Sequence, residues 1–278
     1  MRYDGYHASL SQESLATGAV VARSSHSAFW NWHAGVTFKP VPSGSLYASV
    51  ATSSNPSGEQ LDSTSLDYGG LDPRTVDLSP ERNRAYEVGA KWSLVNGHLD
   101  LTAALFRTDK LNARVALAPG SAATVVLGGK LRAQGIEFTA AGDVTSHLSV
   151  FGGLTLLDAK VTDSPVPGQN GLKLPNVAST SFNLTGRYRL TERAHLGATA
   201  TYTGRRWGGT TVAQSTSIPG YWRFDLFGGY RITRRLELSF NLLNLTDTLY
   251  YDALYRSATP FVYAAPGRSL LLKLDYEF

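Results

Sequence analysis

Nearly every stretch of this chain long enough to be a secondary-structure element changes character at every second residue. At the C-terminal end Leu270, Leu272, Leu274, Tyr276 and Phe278 alternate with Ser269, Leu271, Lys273, Asp275 and Glu277. Before it, Leu236, Leu238, Phe240 and Leu242 alternate with Glu237, Ser239 and Asn241, and Trp222, Phe224, Leu226 and Tyr230 with Arg223, Asp225 and Arg231. Further back, Phe182, Leu184, Tyr188 and Leu190 oppose Asn183, Thr185, Arg187 and Arg189, while Tyr86, Val88, Ala90 and Trp92 oppose Glu87, Gly89 and Lys91. A period of two belongs to a β-strand with one apolar and one wet face; a helix, with period 3.6, cannot present it.

Similar stretches near 1–10, 28–39, 45–53, 98–110, 130–142, 147–160 and 194–205 bring the expected total to about twelve strands of roughly 9 to 14 residues. Strands of soluble sandwiches are usually about five or six residues long. The connections alternate between short and long. Short turns are expected at Pro40 to Gly44, Val95 to Gly97, Asp143 to Ser146, Thr191 to Glu192 and Thr233 to Arg234. Long connections rich in Gly, Pro, Ser, Asp and Asn are expected near 11–27, 54–80, 111–129, 161–176, 206–219 and 246–266. An all-β, antiparallel up-and-down meander with its long loops at one end follows, and transmembrane β-barrels are built this way. Six long loops on one side fit a soluble sandwich or lipocalin-like barrel poorly.

Lipid supplies the reason for such a design. A spanning sheet must satisfy every backbone polar group, which only closure into a barrel achieves. Apolar faces then meet lipid, and faces bearing Glu87, Arg187, Arg223, Asp225 and Lys273 line a wet interior. Trp32, Trp92, Trp222, Tyr188 and Tyr276 are placed for interfacial girdles.

Composition narrows the alternatives. Charged residues make up 17% of the 278, below the usual quarter, and the 30 aromatic residues and 27 glycines favour sheet. There is no cysteine, which removes disulfides, thiolate metal sites and cysteine nucleophiles. The formal charge of +4 is spread among interspersed acids and bases without a dense Lys/Arg block, so nucleic acid is not an expected partner. No segment approaches the roughly 18 to 20 apolar residues of a spanning helix. The opening MRYDGYHASL lacks the charged-then-apolar layout of a secretory signal. The six histidines are scattered without metal-ligand spacing, so no metal site is expected. Gly128, Gly129 and Lys130 lack the rest of a phosphate loop, and no Gly-x-Ser-x-Gly element occurs. An enzyme, and a resident cofactor, are not expected.

Four blocks carry a resemblance. SPERNRAYEVGAKWSLVNGHLDLTAALFRTDKLNAR (Ser79 to Arg114), GKLRAQGIEFTAAGDV (Gly129 to Val144), LPNVASTSFNLTGRYRL (Leu174 to Leu190), and NLLNLTDTLYYD (Asn241 to Asp252) with APGRSLLLKLDYEF (Ala265 to Phe278) lie in this order. Together they resemble the C-terminal barrel portion of TonB-dependent ferric-siderophore receptors, with LFRTDKLNAR closest to the catecholate type. The resemblance implies a 22-stranded barrel with a plugged lumen, of which residues 1–278 form one domain holding about half the strands. The plug, the early strands and the segment that meets the TonB complex are expected to be missing from this chain. It further implies Gram-negative outer-membrane lipid as surroundings, ferric siderophore as the transported ligand, and a terminal signal for the barrel assembly machinery at Leu272, Leu274, Tyr276 and Phe278.

In that family the chelate is held by aromatic and cationic side chains on loops at the outer end. Arg attracts an anionic iron chelate and aromatic rings stack on catechols. The matching candidates are Tyr202, Arg205, Arg206 and Trp207 at the top of one strand. A second group is Tyr250, Tyr251, Tyr255 and Arg256 in the last long loop, and Tyr68 with Arg74 forms a third. The rival expectation is a passive pore in which about twelve strands close on themselves, since bacterial barrels run from 8 strands upward in even numbers.

Overall fold

The computed structural model describes residues 1–56, 79–116, 125–208, 216–254 and 261–278. In chain order the strands begin β1 (Arg2–Glu13), β2 (Val20–Asn31), β3 (His33–Val41), β4 (Gly44–Asn55), β5 (Glu81–Leu94) and β6 (Leu99–Ala116). They continue with β7 (Val125–Asp143), β8 (Leu148–Asp163), β9 (Thr180–Arg189), β10 (Ala194–Thr203), β11 (Arg206–Trp207) and β12 (Ser217–Ile218). The last are β13 (Tyr221–Arg231), β14 (Leu236–Leu243), β15 (Tyr251–Leu254), β16 (Val262–Ala264) and β17 (Ser269–Tyr276). Among the described residues, one eleven-stranded sheet runs β17-β14-β13-β10-β9-β8-β7-β6-β5-β4-β3, so each long strand pairs with its neighbours in the chain.

β1 pairs with β2 as a separate hairpin. Only Trp32 separates β2 from β3; its carbonyl accepts from the Thr52 amide at 2.8 Å and its own amide donates to Thr52 Oγ1 at 3.0 Å. β2 and β3 are thus one long strand with an irregular residue in it, and among the described residues the long strands number twelve. Three expected connections turn out to be built differently. The stretch expected as loop near 11–27 is mostly hairpin, turning at Ser14 to Ala19 with Gly18 in the left-handed region at φ 66°. The loops near 206–219 and 246–266 carry small hairpins of their own, β11 with β12 and β15 with β16. Periodicity missed these because two to four residues show no alternation.

Register makes the two faces explicit. One cross-strand row reads Leu46, Ala90, Ala103, Phe138, Leu154, Phe182, Tyr202 and Trp222 from β4 to β13. The next reads Gly44, Trp92, Leu101, Ala140, Gly152, Leu184, Ala200 and Phe224. On the same face Leu242, Phe240, Leu238 and Leu236 of β14 oppose Leu270, Leu272, Leu274 and Tyr276 of β17. Glu87, Arg187, Arg223, Asp225 and Lys273 all fall on the opposite face, because a strand inverts its side chains at each step. The apolar face is the exposed one, with Leu105 at 53% and Leu272 at 63%. That is the arrangement of a wall whose surroundings are lipid.

Close packing along the wall depends on small residues beside aromatics. A Cβ on Gly44 would come within 2.6 Å of Trp92 Cε2, and one on Gly89 within 2.5 Å of the Tyr47 hydroxyl. Each ring therefore lies flat over its cross-strand glycine. On the inner face Tyr47 Oη donates to Glu87 Oε1 at 2.6 Å, and Lys91 stands 5.3 Å from the Tyr47 ring centroid.

β6, β7 and β8 run for 18, 19 and 16 residues, against the roughly 9 to 11 that cross a bilayer as a tilted strand. Their surplus rises beyond the apolar rows at the long-loop end. The well-buried side chains gather at that end as well: Ala113, Ala159, Val161, Gln169, Tyr250, Asn244 and Leu254. No helix among the described residues is long and apolar enough to cross a membrane.

Candidate functional site

The long-loop end of the inner face holds the residues that could meet a ligand. β13 carries Arg223 and Asp225 inward at its top. Arg223 Nε and Nη2 donate to Asp225 Oδ2 at 3.1 and 3.0 Å, and Arg223 Nη1 donates to Tyr250 Oη at 3.4 Å. Asp225, 7% exposed, also accepts the Asn244 amide at 2.8 Å. The ring of Tyr250 lies 4.4 Å from that of Tyr221.

Asn244 organises the start of the last long loop. It sits in the left-handed region at φ 50°, which Asn tolerates better than most residues. Its side-chain amide donates to Thr248 O at 3.0 Å and its Oδ1 accepts from the Thr248 amide at 3.0 Å. Arg206 ties the same loop from the other side, donating from Nη1 to Asp252 O and from Nη2 to Tyr251 O, both at 2.6 Å.

The expected ligand cluster at 202–207 does not converge. Tyr202 lies on the outer, apolar face, with its ring 4.9 Å from Trp222 in a group that includes Phe182 and Phe224. It belongs to the aromatic girdle, because its even position on β10 shares a face with Ala200 and Ala198. Arg206 is 9% exposed and spends its guanidinium on backbone carbonyls. Arg205 is exposed and donates only weakly, at 3.4 Å, to Ser217 Oγ. Trp207 is half-buried, and its carbonyl accepts the Asn176 amide at 2.7 Å. In the last loop Tyr250 is buried at 6% and Tyr251 half-buried in β15. Tyr255, Arg256, Tyr68 and Arg74 lie outside the described residues. Arg205, Trp207 and Tyr251 are the candidates left with surface to offer a ligand.

The Asp225–Asn244 pair was missed, although its signal was legible. An inward Asp beside an inward Arg two residues away is a pre-paired unit on a strand, and Asn-Leu-Thr-Asp is rich in turn formers. Outside the apolar rows, Asp158 of β8 receives Lys160 at 2.7 Å and also Lys173. Hydrogen bonds from Lys160 and Lys173 hold its carboxyl below the ordinary carboxylate range. Among the described residues no three His, Cys, Asp or Glu side chains gather as a metal site.

A family model described as TonB dependent receptor-like, beta-barrel matches residues 1–245. The chain belongs to that family. Over all of its length it is 31% identical to the probable TonB-dependent siderophore receptor PiuA of Acinetobacter baumannii, covering 38% of that protein. It is 35% identical to the probable TonB-dependent receptor BfrD of Bordetella pertussis, over 89% of the chain and 34% of that protein. To the catecholate siderophore receptor Fiu of Escherichia coli it is 32% identical, over 89% of the chain and 32% of the relative. The crystal structure of PiuA superposes with a TM-score of 0.87, and that of Fiu in its closed form with 0.84; each covers 99% of the chain, and the chain covers 39% and 41% of them.

The chain thus spans about a third to two fifths of these TonB-dependent receptors. This accounts for a sheet that stays open, with β17 and β3 at its ends. The closed twelve-strand pore is not formed among the described residues: a wall curved like part of a wider receptor barrel keeps its two margins apart.

Proposed function

We propose that this chain is barrel wall from an outer-membrane receptor that imports ferric siderophores, with catecholate chelates as the substrate class. The observation that carries the reading is a continuous lipid-type face, in register from β4 to β13, on a chain matching receptors for siderophores along its length. Iron arrives as cargo within its chelate, no resident cofactor is involved, and the work is transport without covalent chemistry. Coupling to TonB belongs to other parts of such a receptor. Leu272, Leu274 and Tyr276, alternating on the outer face of β17, and Phe278 two residues beyond its end serve as the signal read by the barrel assembly machinery.

For binding, Arg205 and Trp207 project from the wall top where a chelate would pass, and Tyr251 stands on the hairpin that Arg206 clasps. Arg205 supplies charge to an anionic chelate, and the aromatic pair supplies faces for its rings. The test grafts residues 1–278 into a full-length receptor of the family and measures ferric-catecholate binding by fluorescence quenching and uptake in iron-starved cells. Tight, TonB-dependent uptake supports the reading. A steady ion conductance without chelate binding would replace it with a pore.

A further inference from the structure

Spacing along the chain hides one pairing of histidines that strand register creates. On one face of the β1–β2 hairpin Tyr3 stands opposite Trp30, Gly5 opposite Ala28, His7 opposite His26, Ser9 opposite Ser24 and Ser11 opposite Ala22. Residues directly opposed across an antiparallel ladder share a face, with Cβ atoms about 4.5–5.5 Å apart. The rings of His7 and His26 have centroids 6.4 Å apart and planes inclined at 47°. Both residues are exposed, and neither ring has a hydrogen-bond or ion-pair partner among the described residues.

The hairpin leaves this face to solvent. Its other face holds Ala8, Ser25, Ser27 and Phe29, all of them buried. β2 meets β3 at Trp32, level with Thr52 near the upper end of β4. His26 lies beyond that junction by roughly 20 Å along the strand, toward the hairpin tip at the long-loop end. The pair thus stands in water, clear of the apolar rows.

Neutral imidazole suits zinc, copper and nickel as a ligand. Metal–nitrogen bonds of about 2.0–2.1 Å set two ring centroids roughly 5.3 Å apart around a tetrahedral ion and about 6.5 Å apart around a linear one. The observed 6.4 Å falls within that span. A turn about each soft χ2 torsion aims both nitrogens at one ion. Gly5 and Ala28 on one side and Ser9 and Ser24 on the other are small, so the rings have room to turn. From Tyr3 to Ser11, and across from Trp30 to Ala22, no charged side chain shares the face, so an approaching cation meets no repulsion there. Among the described residues no group of three or more His, Cys, Asp or Glu forms. The remaining positions on the ion therefore belong to water, as in an open site.

We propose that His7 and His26 form a two-histidine site for a divalent transition-metal ion of the zinc, nickel and copper class, which clips β1 to β2. The ion holds the hairpin's shape and takes no part in transport. The site needs only the register of this hairpin and stands apart from chelate binding.

The experiment refolds the untagged full chain in detergent micelles, measures Zn2+ affinity by calorimetry, and counts imidazole nitrogens on bound Cu2+ by electron paramagnetic resonance. Two nitrogens are expected on the copper. H7Q and H26Q should each weaken Zn2+ binding by at least about tenfold, since even a lost second-shell partner costs about 10–100-fold, and H33Q should leave it unchanged. H7S/S9H, which sets the rings diagonally, should bind weakly. H7S/S9H/S24H/H26S should regain the affinity, because moving both rings by two residues restores the same type of opposed pair. Zn2+ at a hundred times its Kd should slow amide exchange in residues 20–31 by up to about a hundredfold. Affinity unchanged in both H7Q and H26Q, or no recovery in the fourfold variant, would overturn the site. Exchange unaffected by saturating Zn2+ would overturn the clip.

Discussion

The apolar rows and the loop-bearing end of this wall obey opposite rules of burial. In the rows, Leu184, Phe138 and Leu272 are exposed while Thr139 and Asn183 face inward. At the loop end, Asn244 and Gln169 are nearly sealed, at 1% exposure each, and Asp225 and Arg206 are buried with them. The difference shows which solvent each region was built for. Where lipid is the solvent, apolar side chains need no cover and the ladder satisfies the backbone. Where water is the solvent and loops must hold a shape, buried hydrogen-bonded polar groups supply the specificity that an apolar core would supply elsewhere.

The comparison is tested most severely by one charge moved across one residue. Ala140→Arg places a guanidinium on the lipid face in the middle rows, at a cost of about 2–4 kcal/mol, whereas Thr139→Arg on the inner face should cost under about 1 kcal/mol. Urea unfolding in lipid vesicles measures both; equal costs would mean that the two faces do not divide lipid from lumen. Next comes Asn244→Ala, which removes the Thr248 bonds and puts at a left-handed position a residue without the side-chain amide that lets Asn tolerate it. A loss of about 2–3 kcal/mol is expected in the same assay. Arg206→Ala should leave global unfolding nearly unchanged and instead speed amide exchange across 251–254, because two carbonyls lose their donor.

The smallest effect belongs to the ion pairs above the rows. Asp158 is held below its unfolded range, so its stabilisation is present at neutral pH and fades as pH falls through and below about 4. Being a third exposed, it is worth under about 1 kcal/mol, and Asp158→Asn should flatten the acid limb of the stability curve by that amount.

Much of the fold was legible because a strand between lipid and water has no freedom in its pattern. Leu270, Leu272 and Leu274 announce their face without reference to any partner strand, and the long-then-short connections order the strands as a meander. The outward faces of Trp222, Trp92 and Tyr188 were legible for the same reason. The candidate site was less so. Grouping Tyr202 with Arg205 and Arg206 counts neighbours in sequence, while the wall turns Tyr202 outward and sends Arg206 to the carbonyls of residues 251 and 252, far along the chain. Neither the small hairpins β11–β12 and β15–β16 nor the Asn244 hub has a repeat long enough to register.

By itself the sequence determined the strands, their two faces and their order, since each follows from a two-residue period and loop length. Only the tertiary structure decided the register that lines Arg84, Asp109, Arg132 and Lys160 into one row, which arginine is spent on backbone and which stays exposed, and the open margins of the sheet. Those depend on contacts between residues distant in the chain, and local pattern carries no record of which distant partner a side chain will meet.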